Sequence, residues 1–176
     1  MKRIISAVFF ILLWCVFPVW ASGLKVGEKA LNFSLKDSQG KIYTLDSDEF
    51  KGKVLSVIYV DPDKKDLNNH VEQLLLKEPG LDRDKTYKSL VITNLKASKL
   101  PNFIIKSVVK NKQEKTRSII LLDDKYEILN LWGLKNHSSD FVVFDKNRIC
   151  RYIYQGKLPK EEVIRAINII KEYQVK

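Results

Sequence analysis

The chain has 176 residues, a formal net charge of +10 at pH 7, and two cysteines, Cys15 and Cys150. This length suits one domain with a core of ordinary size. No Cys-x-x-Cys motif occurs in the chain, so the sequence excludes a self-contained dithiol–disulfide enzyme of that type.

Residues 1–21 have the three-part form of a secretory signal peptide. Lys2 and Arg3 form its charged part, Ile4–Val19 is an uncharged apolar run, and Val19-Trp20-Ala21 places small residues where a signal peptidase reads them. We therefore expect cleavage after about Ala21, localisation in the periplasm, and contact with the membrane only transiently during export. The apolar run is short for a membrane span, which needs about 20 residues. An uncleaved anchor is the alternative.

Cleavage would leave residues 22–176 as a single domain with a formal net charge of +8 and one cysteine, Cys150. No intramolecular disulfide would then be possible, in a compartment that favours disulfides. A basic protein outside the cytoplasm meets anionic lipid, acidic glycans and acidic proteins before it meets nucleic acid. We expect an envelope protein or peptide as the partner, and no nucleic acid.

The first predicted element is a hairpin over residues 30–45, in which Leu31, Phe33 and Leu35 alternate with polar residues. The run Val54–Val60 is almost wholly apolar and β-branched, as expected of a central strand buried on both faces. A helix is predicted next, with an apolar face formed by residues at helical spacing. Those residues are Leu67, Val71, Leu74 and Leu75.

Pro101 suits the first turn of a second helix, whose apolar side and basic opposite side and exit are both visible in the sequence. The apolar side is Ile104, Ile105, Val108 and Val109, and the basic residues are Lys106, Lys110, Lys112, Lys115 and Arg117. The basic residues predict either a solvated helix side or a surface for an anionic partner. The other predicted elements are strands at Ser89–Thr93, Ile119–Leu122, Phe141–Phe144 and Ile149–Tyr154, a short helix at Ile128–Trp132, and a last helix from Pro159.

Strands that alternate with helices predict parallel pairing through crossovers, and the closing hairpin adds antiparallel strands. This order predicts an α/β protein with a thioredoxin-like fold. Its mixed central sheet is flanked by helices and carries an N-terminal β-hairpin extension.

Several motifs carry a resemblance to known families. Lys25–Ala30 with Phe33-Ser34-Leu35 resembles the opening of peroxiredoxin and thiol-reductase domains, and Phe141–Asn147 resembles their closing hairpin. A second set of motifs lies within about Lys88–Tyr173: Ile92-Thr93-Asn94, Ser118–Asp123, Leu131–Leu134, Ser138-Ser139, Val142–Lys146 and Gly156-Lys157-Leu158. Through these motifs the chain resembles the YtfJ-like family of bacterial periplasmic proteins, which have a thioredoxin-like fold and no established activity.

The resemblance to thiol enzymes places a redox site just after the central strand, where a helix N-terminus lowers a thiol pKa. The loop Asp61–Asn69 occupies that place and contains no sulfur. In the peroxiredoxin pattern Pro-x-x-x-Thr-x-x-Cys, Pro62 fits, but Asp66 and Asn69 stand at the threonine and cysteine positions, with Asp63 inside the same loop. The superfamily's cis-proline aligns with about Ser139 in the Ser138-Ser139 loop. A cis bond there would cost ~3 kcal/mol, so this loop is predicted to be trans.

The sequence allows two interpretations of Cys150. This residue is either a buried apolar residue of a strand or a monothiol redox group, and activation of a thiol requires a partly exposed, electropositive site. Arg148 and Arg151 are close in sequence and keep the second reading open.

Two other groups of residues, the carboxylates after the central strand and the two histidines, are candidates for a metal or small-ligand site. Asp61, Asp63 and Asp66 lack the glycine and distal glutamate of a calcium loop, and His70 and His137 lack an organised third ligand. We therefore predict neither a metal nor a cofactor.

The sequence thus predicts a non-catalytic, exported protein that binds a partner through the surface where a redox site would lie. A monothiol redox protein acting through Cys150 is the alternative, and a ligand-binding domain using residues 61–70 is the third reading.

Overall fold

The computed structural model describes residues 23–116 and 118–176. The predicted signal peptide, residues 1–21, and Arg117 of the predicted basic helix exit lie outside the described residues. The strands are β1 (Leu35–Asp37), β2 (Ile42–Tyr43), β3 (Val54–Val60), β4 (Tyr87–Asn94), β5 (Ile119–Asp123), β6 (Ser139–Phe144) and β7 (Cys150–Tyr154). The helices are α1 (Asn69–Lys77), α2 (Asn102–Thr116), α3 (Glu127–Trp132) and α4 (Lys160–Val175), with short 3-10 turns at Pro62–Lys64 and Leu95–Ala97.

All seven strands form one mixed sheet in the order β2-β1-β5-β4-β3-β6-β7. Strands β3, β4 and β5 are parallel, because helices α1 and α2 connect them as crossovers. The β1–β2 hairpin and the β6–β7 hairpin add antiparallel strands at the two sides. This arrangement confirms the predicted mixed sheet with an N-terminal hairpin.

Every residue of β3 is buried because the sheet is covered on both faces. Leu55, Val57 and Tyr59 point to the face covered by α3, together with Phe33 and Trp132. The opposite face carries α1, α2 and α4, and the apolar side chains of β3 that pack there are Val54, Ile58 and Val60. The alternation of a strand therefore builds two cores from one apolar run.

The predicted hairpin strands are longer than the observed ones, and Leu31 is exposed rather than paired. The predicted apolar faces of the first two helices are also too wide. Only Val71 and Leu75 of α1, and Ile105 and Val109 of α2, are buried. The reason for α2 is tertiary, since the helix covers only β4 and β5, and Ile104 and Val108 point away from these strands. Within residues 23–116 and 118–176, no helix is both long and apolar enough to cross a bilayer.

Candidate functional site

The carboxyl ends of the parallel strands lie together at one edge of the sheet, and polar residues stand there. Asp61 follows β3, while Asn94 and Asp123 end β4 and β5. The chain leaves β3 for β4 on one side and later returns beside β3 on the other side as β6. Open α/β sheets bind ligands in the crevice at such a change of direction. The topology therefore centres the candidate site on Asp61 and on the loop before β6.

Asp61 is held by three hydrogen bonds. Its backbone N–H donates to the carbonyl oxygen of Ser138 at 2.9 Å. Its Oδ1 accepts from the N–H of Asp63 at 3.0 Å, and its Oδ2 lies 3.1 Å from Nδ1 of His137. The carboxylate side chain is 1% exposed, whereas the imidazole side chain is 66% exposed. The imidazole of His137 is therefore accessible to solvent, whereas the carboxylate of Asp61 that it contacts is buried.

The loop before β6 is fixed by the buried Asp140. The Ser138 hydroxyl donates to Oδ1 of Asp140 at 2.6 Å, and the N–H groups of Lys135 and Gly156 also donate to this carboxylate. His137 has a φ of 54°, an uncommon value for a residue other than glycine. Ser139 opens β6 opposite Val60. No cis peptide bond occurs in the described residues, which confirms the prediction of a trans loop at Ser138-Ser139.

Asn68 is a residue of this site that the sequence did not single out. It is buried just before α1, and its Nδ2 donates to the Ser139 carbonyl at 2.8 Å and to the Gly156 carbonyl at 2.9 Å. Its Oδ1 accepts from the Leu158 N–H at 3.0 Å. The side chain therefore ties the start of α1 to β6 and to the loop after β7. An asparagine before an apolar helical run predicts an N-cap, but this one makes no capping bond.

The other carboxylates of the loop point to separate partners. Asp63 accepts from the hydroxyl of Ser98 at 3.0 Å, and Asp66 accepts from Nδ2 of Asn69 at 2.8 Å. Pro62 opens the 3-10 turn that follows Asp61. The structure therefore places the predicted loop residues beside the site but brings only Asp61 into its buried centre.

The two histidines have different anchors. Nε2 of His70 lies 2.9 Å from the carbonyl oxygen of Leu158, whereas the ring of His137 bonds to Asp61. In the described part of the chain, no three His, Cys, Asp or Glu side chains are grouped so that they could hold a metal ion.

Asp123 and Asn94 complete the polar edge. The buried Asp123 carboxylate accepts from the Tyr59 hydroxyl at 3.2 Å and from the N–H groups of Lys125, Glu127 and Ile128, so it organises the start of α3. Burial and this neighbouring carboxylate raise the pKa of Tyr59. Asn94 donates to Oδ1 of Asn136 at 3.3 Å.

Cys150 lies away from this edge, at the start of β7. It is fully buried in the core that contains Trp132 and Phe144. Burial raises the pKa of its thiol to about 11. The nearby Arg148 guanidinium donates to backbone carbonyls, and Arg151 pairs with Asp145. The environment is therefore the opposite of the exposed, electropositive site that activates a thiol.

Burial of Cys150 predicts slow labelling of the folded protein. We expect a chain that begins at Ser22, and so lacks Cys15, to react with an aromatic disulfide reagent at pH 7.5 only in denaturant. At this pH a thiol with a pKa of about 11 is almost wholly protonated, and its sulfur is inaccessible. The measurement is the rate of release of the coloured thiolate. Rapid, stoichiometric labelling without denaturant would instead favour the monothiol alternative.

Comparison with known proteins agrees with this architecture. The family described as "Bacterial protein of unknown function (YtfJ_HI0045)" matches residues 23–173. The chain belongs to this family. A relative from Haemophilus influenzae, described as an uncharacterized protein, is 32% identical over 68 residues, which are 39% of this chain and 37% of the relative. The match to this relative therefore spans little more than a third of its length.

Solved structures with the same fold include several thiol proteins. A candidate protein disulfide isomerase from Bacteroides thetaiotaomicron superposes with a TM-score of 0.62 at 18% identity, covering 87% of this chain and 92% of that chain. A thiol peroxidase from Chromobacterium violaceum gives a TM-score of 0.61 at 15% identity, covering 85% and 88%. These superpositions show a thioredoxin-like fold, as predicted. At such low sequence identity they carry no activity to this YtfJ-family chain.

Proposed function

We propose that this YtfJ-family protein is an exported, non-catalytic thioredoxin-like protein of the bacterial periplasm that binds a partner polypeptide. Its binding surface is the edge formed by the loop after β3 and the loop before β6. Export rests on the pattern of residues 1–21. The partner is an envelope protein or peptide.

One observation carries the proposal. The edge that holds a sulfur pair in thiol enzymes of this fold is built here from the Asp61–His137 pair, and both flanking loops are firmly held. Neither a carboxylate nor an imidazole at this place exchanges disulfides. The exposed ring of His137 remains as a contact group, on a loop that the hydrogen bonds of Asp61 and Ser138 hold in place. Binding without redox chemistry is what these groups support.

Site-specific photocrosslinking in the bacterium that produces the protein tests the proposal. A benzoylphenylalanine in place of His137 is expected to give a discrete covalent adduct with an envelope protein. The matched control carries the same group in place of Val175, which is exposed near the C-terminal end of α4. This position lies far from the candidate site, because the neighbouring Gln174 bonds to Gly80 and Asp82 before β4, at the opposite end of the parallel strands.

The two crosslinking positions give opposed expectations. An adduct from position 137 and none from position 175 supports the proposal. No adduct from position 137, or the same adducts from both positions, contradicts it. In a parallel assay the chain from Ser22 should not accelerate the reduction of insulin disulfides by dithiothreitol. Acceleration that disappears in a Cys150→Ala variant would support the monothiol alternative.

A further inference from the structure

A groove opens on the sheet face between α1 and α2. It has a volume of about 120 Å³. Its walls are mostly apolar and include Val60, Val91, Ile105 and Val108, while Pro62 and Lys65 stand at the end next to the candidate site. This α1–α2 groove also reaches Ser139 at the start of β6. The groove is therefore continuous with the surface already proposed to bind a partner.

The groove exists because α1 and α2 belong to different hydrophobic clusters. Val71 and Leu75 of α1 pack with α4, whereas Ile105 and Val109 of α2 pack over β5. Val91 of β4 lies between the clusters and is only partly buried. The helices are joined across the gap by an ion pair of Glu72 with Lys112 at 3.3 Å. Beyond this pair a second hollow of about 170 Å³ continues along the sheet.

Large apolar side chains on α2 and just before it are exposed. Val108 is 58% exposed and Phe103 is 73% exposed, and Leu100 and Ile104 are exposed as well. Leu100, Ile104 and Val108 are spaced four residues apart, so they form one stripe. Scattered exposed leucines need no explanation, but a continuous apolar stripe beside a groove marks an interaction site.

The charges around the groove are mainly positive. The basic residues that line the groove and the second hollow are Lys65, Lys112, Arg83 and Lys88, and Glu72 is the one acid among the lining residues. An occupant that complements this surface carries apolar side chains for the groove and negative charges for its rim.

We infer that the α1–α2 groove binds an acidic segment of a partner polypeptide, with apolar side chains seated against Val91, Ile105 and Val108. This inference rests on the proposed function and names the chemistry of the partner. A second copy of the chain would bring the same lysines against each other. A bilayer surface would touch the exposed Phe103 but would not fill a concave channel between two helices. The observations therefore favour a polypeptide.

The test is a titration of the ¹⁵N-labelled chain from Ser22, which contains every described strand and helix. The probe is a seven-residue peptide that alternates acidic residues with leucine and phenylalanine. One control peptide carries lysines in place of the acids, and another carries serines in place of the apolar residues. We expect only the acidic apolar peptide to shift the amide signals of Lys65, Val108 and Lys112 in a saturable way.

A variant pair locates the binding. Val108→Gln puts a neutral polar side chain in the apolar wall and should weaken binding of the acidic peptide by about tenfold or more, because the burial of one valine is lost. The control Ile164→Gln changes a similarly exposed residue of α4 and should leave the affinity unchanged. Both sites are exposed, so both variants should keep the spectrum of the folded chain.

Several results would overturn the inference. One is failure of the acidic peptide to bind, and another is equally tight binding of the lysine peptide. Signal shifts confined to other parts of the chain, or an equal loss of affinity in the two variants, would also contradict it. Binding to vesicles that contain a third phosphatidylglycerol, with no binding of the peptide, would assign the stripe to a membrane surface instead. Crosslinking from position 137 is a separate readout, so a failure of the groove and a failure of the proposed function can be told apart.

Discussion

Replacing Arg148 by methionine is expected to lower the free energy of unfolding by about 4 kcal/mol. The guanidinium is buried and donates from Nε to the Leu45 carbonyl at 2.8 Å and from Nη2 to the Phe50 carbonyl at 2.6 Å. Nη1 donates to the carbonyls of Lys53 and Asp145 at 2.9 and 3.3 Å. Methionine retains much of the packing but donates no hydrogen bond. The carbonyls of Phe50 and Asp145 keep a backbone N–H donor, so the main loss is at the carbonyls of Leu45 and Lys53.

The size of this effect follows from what Arg148 holds in place. Leu45, Phe50 and Lys53 belong to the loop that leads from the β1–β2 hairpin into β3, so the side chain closes that loop over the end of the β6–β7 hairpin. Burial lowers the pKa of Arg148, yet an arginine stays charged at neutral pH. Uncompensated buried carbonyls cost about 1–3 kcal/mol each when water does not reach them. The loop should open partly, which limits the total.

Unfolding in guanidinium chloride measures the change. Trp132 is fully buried and is the one tryptophan of residues 22–176, so its fluorescence reports the core. The matched control is Arg165→Met, since Arg165 is exposed and makes only a loose ion pair with Glu162 at 3.6 Å. This control should cost less than about 0.5 kcal/mol. Similar losses for the two variants would contradict the role assigned to Arg148.

Replacing Asn68 by alanine is expected to cost about 3 kcal/mol and to loosen the candidate site. The side chain joins three parts of the chain, because it bonds to Ser139, to Gly156 and to Leu158. Its loss leaves buried backbone groups of β6 and of the loop after β7 without partners. We therefore expect faster amide hydrogen exchange at Gly156 and Leu158 in addition to a lower midpoint of unfolding.

The neighbouring Asn69 provides the matched control. It is exposed, and its Nδ2 bonds only to the side chain of Asp66. Asn69→Ala should therefore change stability by less than about 0.5 kcal/mol and leave the exchange of Leu158 unaltered. A loss for Asn69→Ala as large as that for Asn68→Ala would show that the start of α1, rather than the buried amide, is the sensitive feature.

Local patterns in the sequence predicted the strands and helices well where burial is complete. The run Val54–Val60 is apolar at every position except Ser56, because the observed β3 has helices on both faces. The helices were predicted with faces that are too wide, since periodicity shows which side chains are apolar but not how many a neighbour covers. For Ile104 and Val108 of α2 no such neighbour lies over them in the described structure, and the α1–α2 groove results.

For the candidate site, too, the sequence predicted some features and missed others. That the loop Asp61–Asn69 carries no sulfur could be read directly from the residues. That Asp61 meets His137, 76 positions away, could not, because their contact depends on β6 pairing with β3 rather than on either local sequence. The sequence does not mark Asn68 as a site residue, and it suggests Arg148 only as a neighbour of Cys150. A polar residue looks the same in a sequence whether water or a distant carbonyl group is its partner.

By itself, therefore, the sequence determined the absence of a dithiol motif, the order of the strands and helices, and the family resemblance. Each of these is a property of residue types and their spacing. Only the tertiary structure decided that Cys150 is buried, that the buried Asp61 lies against the exposed imidazole of His137, and that an apolar groove with a basic rim adjoins this pair. Each of these depends on which distant segments pack together, and the topology of the sheet determines that packing.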